Sequence, residues 1–244
     1  MKIMFLMGGT NIQKNQEDYP LYLSELNGNL ILEQQINYCN SLNPDGYLFC
    51  VKTDDIKSYR TDAVIKQILP NSIIIPVNGP TKGAICTALL GAQYLESDEE
   101  LILMAVDDFI DNEGVEIVNY FKKENADAGV VSFTSIHPRY SFAKINENND
   151  VVEVAEKKPI SKNALVSFYY FRHANDFLEC AKDVIRKDNS VNGSFYISQT
   201  LNEMILRQKK VKMYKVENEK FHPLKTEMQL AQYMFELKEE KDSK

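Results

Sequence analysis

The sequence predicts a single α/β domain, with a mostly parallel central sheet flanked by helices and a second half built from mixed strands. Two observations predict this fold class. Apolar segments alternate with helical patterns through the first half of the 244 residues, and no linker or internal repeat divides the chain. We expect residues 1–135 to form the first half, residues 136–230 the second half, and residues 238–244 a charged tail that frays.

Five short apolar segments are typical of strands that are buried on both faces of a parallel sheet. These predicted strands are Ile3–Met7, Tyr47–Val51, Ile73–Val77, Leu101–Val106 and Ala128–Phe133. Helical patterns lie between them, at Leu30–Asn40, Thr61–Ile68, Gly83–Leu95 and Gly114–Glu124. This alternation predicts a doubly wound sheet.

The second half changes character, because several of its strand patterns follow one another with only turn residues between them. The predicted strands are Ser141–Asn146, Val151–Ala155, Val166–Phe171 and Val211–Val216. The predicted helices are Ala174–Lys187, Ile197–Gln208 and Glu227–Glu239. We interpret this half as part of the same domain.

Composition and the N-terminus narrow the function classes. A net charge of −7 argues against a nucleic-acid partner, because neutralising phosphates requires a surplus of Lys and Arg. The apolar run at the N-terminus is too short for a signal peptide or a membrane span. We therefore expect a cytoplasmic protein with no membrane partner. Cys39, Cys50, Cys86 and Cys180 lack metal-binding spacing and are expected to be thiols of a reducing compartment.

Two glycine-containing segments follow predicted strands. Met7–Thr10 comes after the first strand, and Asn78–Ala84 lies at a later junction of strand and helix. Glycine turns let backbone N–H groups approach a phosphate closely. Lys82 precedes a helix N-terminus, where a cation is unfavourable unless an anion neutralises it. The two segments predict phosphate binding, with plain turns as the alternative.

Charged residues follow two other strands. Asp107 and Asp108 end the most apolar strand, and ligands of open α/β sheets collect at the carboxyl ends of strands. Paired carboxylates repel unless a cation lies between them, so we predict Mg²⁺ binding by either residue, or a ribose contact. Asp111 is better explained as a helix cap. In Glu156–Pro159, adjacent lysines predict a phosphate clamp, or else a solvated run of charges.

Taken in order, these segments resemble the family of sugar-phosphate nucleotidyltransferases, over almost the whole chain. The family opens with a strand and a loop of the type G-x-G-S/T-R, followed by P-K-P, and it later carries a base-reading loop, a metal aspartate, E-K-P, N-G-E-F-Y and W-x-D-x-G-T. The matching segments here are MGGTNIQK, YPLYL, NGPTKGAICTA, AVDDFID, AEKKP, NGSFY and FHPLKT.

The resemblance implies a Rossmann-like (GT-A-like) fold and a reaction that joins an NTP to a sugar 1-phosphate or a related phosphorylated metabolite. It also implies Mg²⁺ as cofactor and a use in capsule or surface-polysaccharide synthesis, and it leaves a homo-oligomer open. The implied catalytic residues are Lys14, Asp108 and Lys157. The implied nucleotide-binding residues are Met7, Gly8, Gly9, Thr10, Asn78, Thr81, Lys82, Gly83 and Asp107. The implied substrate-binding residues are Glu156, Lys157, Lys158, Asn192 and Gly193. Asp107 and Asp108 are the implied metal ligands.

Several positions depart from the family pattern. The family's loop arginine falls at Gln13, with Lys14 beside it as a substitute, and the lysine of P-K-P falls at Leu21. The glutamate of N-G-E falls at Ser194, and the second metal aspartate falls at Pro223. Fixed positive charges carry much of phosphoryl-transfer catalysis, so these departures bear on activity more than on fold.

Three functions therefore remain open: an active nucleotidyltransferase, a nucleotide- or sugar-nucleotide-binding protein that has lost the chemistry, and a glycosyltransferase of similar fold. For the first, we expect Asp108→Ala and Lys157→Ala to abolish turnover with little change in thermal stability.

Overall fold

The chain folds around one large mixed sheet. A computed structural model describes residues 1–9, 19–111 and 113–242. Its strands are β1 Lys2–Met7, β2 Glu25–Leu26, β3 Asn29–Leu30, β4 Gly46–Lys52, β5 Ile73–Val77, β6 Leu101–Met104, β7 Asp108–Ile110, β8 Ala128–Thr134, β9 Ser141–Ile145, β10 Val151–Glu156, β11 Asn163–Phe171, β12 Val211–Lys215 and β13 Phe221–Pro223. Within these residues, nine strands form the sheet, and β2–β3 and β7–β13 form two small ribbons.

The helices cover the two faces of the sheet. They are α1 Ile31–Asn40, α2 Thr53–Tyr59, α3 Thr61–Ile68, α4 Ala84–Leu89, α5 Gly114–Lys123, α6 Ala174–Arg186, α7 Ile197–Leu206 and α8 Glu227–Asp242. Short 3-10 turns occupy Leu21–Leu23, Ala92–Tyr94 and Asn218–Lys220. The sequence analysis did not predict α2, and it predicted a longer helix than α4. It also expected fraying in the tail, which contains the end of α8.

The first half of the chain forms the parallel part of the sheet, in the order β6-β1-β4-β5. Alternate residues of β1 enter different apolar clusters: Phe5 stacks on Phe49 on one side, while Met4 packs with Leu48 on the other. Strands buried on both faces account for the continuous apolar segments in the sequence. The α/β fold class that the sequence predicted is confirmed.

The long strand β11 joins the two halves. It runs antiparallel to β6 and β9 on one edge and antiparallel to β8 on the other. Strand β8 was assigned to the parallel half, but it lies across β11 from β6 and is parallel only to β12. The assignment of β8 was wrong because an apolar segment reveals burial on both faces, and not the direction of its partner.

Strand β6 ends at Met104, two residues before the predicted end at Val106. Beyond Met104, the Ala105 N–H still donates to the Ser167 carbonyl of β11, and the Gln35 side-chain amide donates to the carbonyls of Ala105 and Asp108 in the turn that follows. Strand β1 lies between β4 and β6. The chain passes from β1 to β4 and β5 on one side and then returns to β6 on the other side. In open α/β sheets, such a switch point opens a crevice at the carboxyl ends of the strands.

Two further findings concern the whole chain. Among the residues that the structure describes, no helix is both long and apolar enough to cross a membrane. The four cysteines are free thiols, of which Cys39, Cys50 and Cys180 are buried and Cys86 is partly buried.

Gly83 offers a test of how the two halves are joined. Its φ is +107°, and a Cβ added there would lie 2.4 Å from the carbonyl oxygen of Phe195. We expect Gly83→Ala to lower the free energy of unfolding by about 3 kcal/mol, because backbone strain and overpacking add. Urea unfolding monitored by circular dichroism measures the change.

The matched control is Gly79→Ala. Gly79 also has a positive φ, of +70°, but a Cβ there would meet no atom within 4 Å. It should cost only about 1 kcal/mol, from the left-handed backbone alone. Equal losses at the two positions would contradict the close contact between Gly83 and Phe195.

Candidate functional site

The turn after β6 carries the acidic pair that the sequence singled out. Gln35 of α1 is fully buried, and its side-chain amide donates to the Asp108 carbonyl at 2.9 Å. This contact holds residues 105–108 against α1 and thereby fixes the backbone of the turn that carries Asp107 and Asp108.

Asp108 is buried, with 4% of its surface exposed, and its carboxylate has partners on two sides. Oδ2 accepts a hydrogen bond of 3.1 Å from the backbone N–H of Ser167. Oδ1 lies 3.0 Å from the ammonium of Lys225. The same ammonium lies 3.5 Å from Oδ1 of the half-buried Asp107. A buried carboxylate needs such partners, since an unpaired charge is costly in a protein interior.

Backbone pairing brings Lys225 to this point. Strand β13 runs antiparallel to β7, with Pro223 opposite Asp108, and Leu224 N–H donates to the Asp107 carbonyl at 2.7 Å. Burial opposes the charged form of Lys225, but the two carboxylates outweigh it and raise the pKa of the ammonium above its usual range. Burial also raises the pKa of Asp107, and Lys225 counteracts that increase.

The fit of Mg²⁺ to this turn can be tested against the donor set. Lys225 already supplies the positive charge that the two carboxylates require. Pro223 lies where the resemblance implies the second metal aspartate, and a proline side chain offers no oxygen ligand. The part of the chain that the structure describes contains no group of three or more His, Cys, Asp or Glu side chains placed to hold a metal ion. The Mg²⁺ requirement stays a prediction, and this donor set does not support it.

The second charged group lies at the end of β10. Glu156 accepts hydrogen bonds from the hydroxyls of Ser141 and Ser198, the latter at 2.8 Å. Burial raises the pKa of Glu156, although the two hydroxyls oppose the increase. Lys157 adopts a left-handed backbone, with φ of +55°, and its ammonium donates to the Tyr196 hydroxyl at 2.7 Å. The predicted partner Lys158 is exposed to solvent.

Asp108, Glu156 and Lys157 line one cavity of about 350 Å³. The sequence predicted all three, from two separate segments of the chain. The cavity is also lined by Arg139, Tyr140, Tyr169, Tyr196 and Lys225, which the sequence prediction missed. Arg139 and Tyr140 stack at the entry to β9, where a basic and an aromatic residue beside a strand were the available signal. Three cations and two carboxylates thus surround a pocket with an apolar floor from Leu6 and Leu103.

The glycine segments lie next to each other on the sheet side of α4. A Cβ on Gly8 would lie 2.9 Å from the Thr87 side chain, whose hydroxyl is 2.7 Å from that of Thr81. Asn78 is exposed and accepts a hydrogen bond of 2.7 Å from Thr53. These contacts bring the segment after β1 beside the loop after β5.

The loop after β5 also contacts the segment that contains Asn192 and Gly193. Phe195 N–H donates to the Lys82 carbonyl at 2.8 Å, and Ile85 N–H donates to the Phe195 carbonyl at 3.1 Å. Tyr196, the next residue, is the partner of Lys157. The loop after β5 is therefore connected to the cavity through two hydrogen-bonded contacts, although the side chain of Lys82 itself is exposed.

The remaining predicted residues differ in placement. Asn192 and Gly193 form an exposed turn with positive φ values and do not line the cavity. The Met7 side chain is buried in the core, so only its backbone is available to a ligand. Gly9 is exposed at the end of the described N-terminal segment. Thr10 and Lys14, with the departure at Gln13, lie outside the described residues.

A larger open groove of about 1650 Å³ is lined by residues of α1, β13 and α8. It contains His222, which is stacked on Tyr233 and lies 3.1 Å from Asp111. None of the predicted site residues lines this groove. We therefore place the candidate site in the smaller cavity, where the predicted acidic and basic residues converge.

The fold of this chain is shared with solved structures of sugar-nucleotide pyrophosphorylases. The nucleoside-diphosphate-sugar pyrophosphorylase of Vibrio cholerae superposes with a TM-score of 0.80 at 19% identity, over 96% of this chain and 99% of that one. A UDP-glucose pyrophosphorylase, solved in complex with UDP-glucose, superposes with a TM-score of 0.76 at 12% identity, over 98% of both chains. No protein-family model and no curated protein sequence matches the chain.

The burial of Asp108 changes the expectation for its removal. Asp108→Ala should lower the free energy of unfolding by about 2 kcal/mol, because the Ser167 N–H and the Lys225 ammonium lose their partner in a buried setting. Asp107→Ala is the matched control and should cost less than about 1 kcal/mol, as expected for a half-exposed ion pair. Chemical denaturation measures both, and equal stabilities of Asp108→Ala and the wild type would contradict the paired burial.

Glu156 predicts a pH dependence of stability. Its pKa is raised in the folded protein, so between the two pKa values the native state holds a proton that the unfolded chain has released. Stability therefore falls as pH rises, starting near the ordinary glutamate value of about 4.3 and ending above the raised pKa. Glu156→Gln removes this contribution.

The measurement is the difference in unfolding free energy between wild type and Glu156→Gln at several pH values. We expect the wild type to lose stability relative to the variant as pH increases. A difference that stays constant with pH, or one of opposite sign, would show that burial does not penalise the Glu156 carboxylate.

Proposed function

We propose that this protein is a nucleotidyltransferase that joins an NTP to a phosphorylated small molecule and releases pyrophosphate. The observation that carries the proposal is the convergence of Asp108 and Lys157 in one cavity at the switch point of the sheet. Arg139 and Lys225 add positive charge to the same cavity. Such a pocket suits a phosphorylated ligand, because fixed cations stabilise phosphate charge without reorganising during the reaction.

The proposed reaction needs no nucleophile from the protein. An oxygen of the substrate phosphate attacks the α-phosphorus of the NTP, the bond to the β-phosphate oxygen breaks, and pyrophosphate leaves with that electron pair. Lys157 would bind the attacking phosphate through its single positive charge, and Arg139 would donate two parallel hydrogen bonds from its guanidinium group. Positioning of this kind supplies much of the rate enhancement in phosphoryl transfer.

The backbone after β1 and the loop after β5 would receive the nucleotide. Gly8 lies so close to Thr87 that a side chain there would clash, which suits a backbone that approaches phosphates directly. We infer that Mg²⁺ enters on the phosphates of the NTP, as is common for phosphate-bound Mg²⁺, and not on Asp107 and Asp108.

The sugar class of the substrate is a further part of the proposal. A structure of similar fold binds UDP-glucose, which supports a sugar 1-phosphate as the phosphorylated substrate. The cavity offers two carboxylates, Asp108 and Glu156, and three tyrosine side chains for hydroxyl groups and an apolar ring face. We further propose that the protein acts in the cytoplasm, in capsule or surface-polysaccharide synthesis.

One observation favours a second candidate, a binding protein without turnover. Leu21, which replaces the lysine of P-K-P, is buried against Leu26 and Ile31 in an apolar cluster. A cation is therefore missing from this position in the fold, and its loss would lower the rate more than the affinity.

Pyrophosphate release distinguishes the candidates. The protein is incubated with each of ATP, CTP, GTP, UTP and dTTP, together with a panel of sugar 1-phosphates and other phosphorylated metabolites. Release with any pair supports the transferase. Nucleotide binding by calorimetry without release supports the binding protein, and consumption of a nucleotide sugar in the presence of an acceptor would indicate a glycosyltransferase.

Lys157→Gln tests the substrate clamp. We expect kcat/KM for the phosphorylated substrate to fall by about 100-fold, as for removal of one preorganised charged donor, while the unfolding free energy changes by less than about 1 kcal/mol. Steady-state kinetics and urea denaturation provide the two measurements.

The matched control is Lys144→Gln, since Lys144 is an exposed lysine on β9 that does not line the cavity. Its kinetics should equal those of the wild type. Full activity of Lys157→Gln would remove Lys157 from the site.

A further inference from the structure

The acidic turn after β6 is already paired with a cation of the protein itself. The Lys225 ammonium lies 3.0 Å from Asp108 Oδ1 and 3.5 Å from Asp107 Oδ1, at the position where the resemblance implies a metal ion. The interaction is not a loose surface pair, because Asp108 is almost fully buried and its other carboxylate oxygen accepts a hydrogen bond from the Ser167 N–H.

The backbone on both sides of Lys225 is fixed. On its N-terminal side, Leu224 donates to the Asp107 carbonyl and Pro223 lies opposite Asp108. On its C-terminal side, Lys225 N–H donates to the Gln229 side chain at 3.0 Å, and Gln229 N–H donates to the Thr226 hydroxyl at 3.2 Å. These bonds tie Lys225 to the start of α8, so its ammonium is directed at the two carboxylates by the fold.

A divalent cation would compete with this ammonium for the same two oxygens. Like charges at contact distance repel, so binding of the metal between the two carboxylates would require Lys225 to leave and lose both partners. Pro223 brings no oxygen ligand that would offset this loss. The donor set therefore favours the lysine over a metal.

We propose that Lys225 is a built-in cation that takes the place of a metal held by Asp107 and Asp108, and that it binds nucleotide phosphate from this position. The inference rests on the proposed function as regards the ligand. An ammonium carries three N–H donors, and the ion pairs of Lys225 with Asp107 and Asp108 leave at least one donor for a ligand, since 41% of its side-chain surface is exposed. Lys225 lines the cavity together with Arg139 and Lys157, so that donor has access to a phosphate.

The first experiment measures Mn²⁺ binding by electron paramagnetic resonance, with the whole protein and no nucleotide. We expect no specific Mn²⁺ site in the wild type at millimolar metal. Lys225→Met keeps an unbranched side chain, one atom shorter, and removes its charge, so it should gain one Mn²⁺ site. The double variant Asp108→Asn/Lys225→Met should lose that site again.

Lys220→Met is the matched control. Lys220 lies five residues earlier and is paired with Glu113 outside the cavity, so its loss also leaves one carboxylate without its lysine. It should gain no Mn²⁺ site. Tight binding of Mn²⁺ by the wild type that Asp108→Asn abolishes would overturn the proposal, as would failure of a well-folded Lys225→Met to bind the ion.

A thermal scan covers the case in which Lys225→Met is unstable. Because a ligand that binds only the folded state raises Tm, Mn²⁺ should raise the Tm of Lys225→Met by several degrees and leave that of the wild type unchanged. An equal Tm shift in both proteins would contradict the proposal.

The second experiment measures NTP affinity by calorimetry in EDTA, with each of the five NTPs in turn. The wild type should bind its nucleotide, and Lys225→Met should bind it about tenfold more weakly or worse, because one direct phosphate contact is lost. Equal affinities would overturn the role of Lys225 at phosphate. If the wild type binds no NTP with or without Mg²⁺, the proposed function fails, while the Mn²⁺ result still decides whether Lys225 replaces the metal.

Discussion

The burial of the Asp108 carboxylate is the constraint on which the site depends. A carboxylate in this position needs charged or hydrogen-bonding partners, because its desolvation is costly. Gln35 of α1 fixes its backbone, Ser167 of β11 donates to one oxygen, and Lys225 faces the other. Three segments that are distant in sequence are thereby tied to the end of β6. The cavity exists where it does because these segments meet there, with β11 joining the two halves of the sheet.

Much of this arrangement was predictable, because it depends on patterns within short segments of the sequence. A strand buried on both faces leaves a continuous apolar segment, and the rule that ligands gather at strand ends then selects Asp108, Glu156 and Lys157. What could not be predicted is long-range. Helix α2 shows no apolar periodicity, and Ile56 is its main apolar contact to the core. The antiparallel partner of β8 is β11, which lies some 30 residues further along the chain. Neither feature is encoded within a short window of sequence.

Lys225 illustrates the limit more sharply. The segment 221–226 was recognised, but its resemblance directed attention to Pro223, where the family has an acid. The pairing of β13 with β7 aligns Pro223 with Asp108, and the residue that reaches the carboxylates is Lys225, two positions later. A motif comparison tests each position for the expected residue type. It does not ask whether a neighbour of opposite charge now occupies the space of the missing ligand.

Leu21 and Pro223, two departures from the pattern that the sequence resembles, both lie next to the segments that bear the ion pair. Leu21 packs in a cluster with Phe109, which follows Asp108, and Leu224, which precedes Lys225. An apolar side chain at position 21 therefore strengthens the contact that aligns the two segments bearing the ion pair, whereas a lysine there would bring a charge into this cluster at a cost. Position 21 thus carries an apolar side chain where the resemblance implies a cation, and the same apolar cluster includes Leu224, the neighbour of Lys225. The cation that faces Asp107 and Asp108 is supplied from the segment between β13 and α8, where it compensates the charge of the buried Asp108 carboxylate.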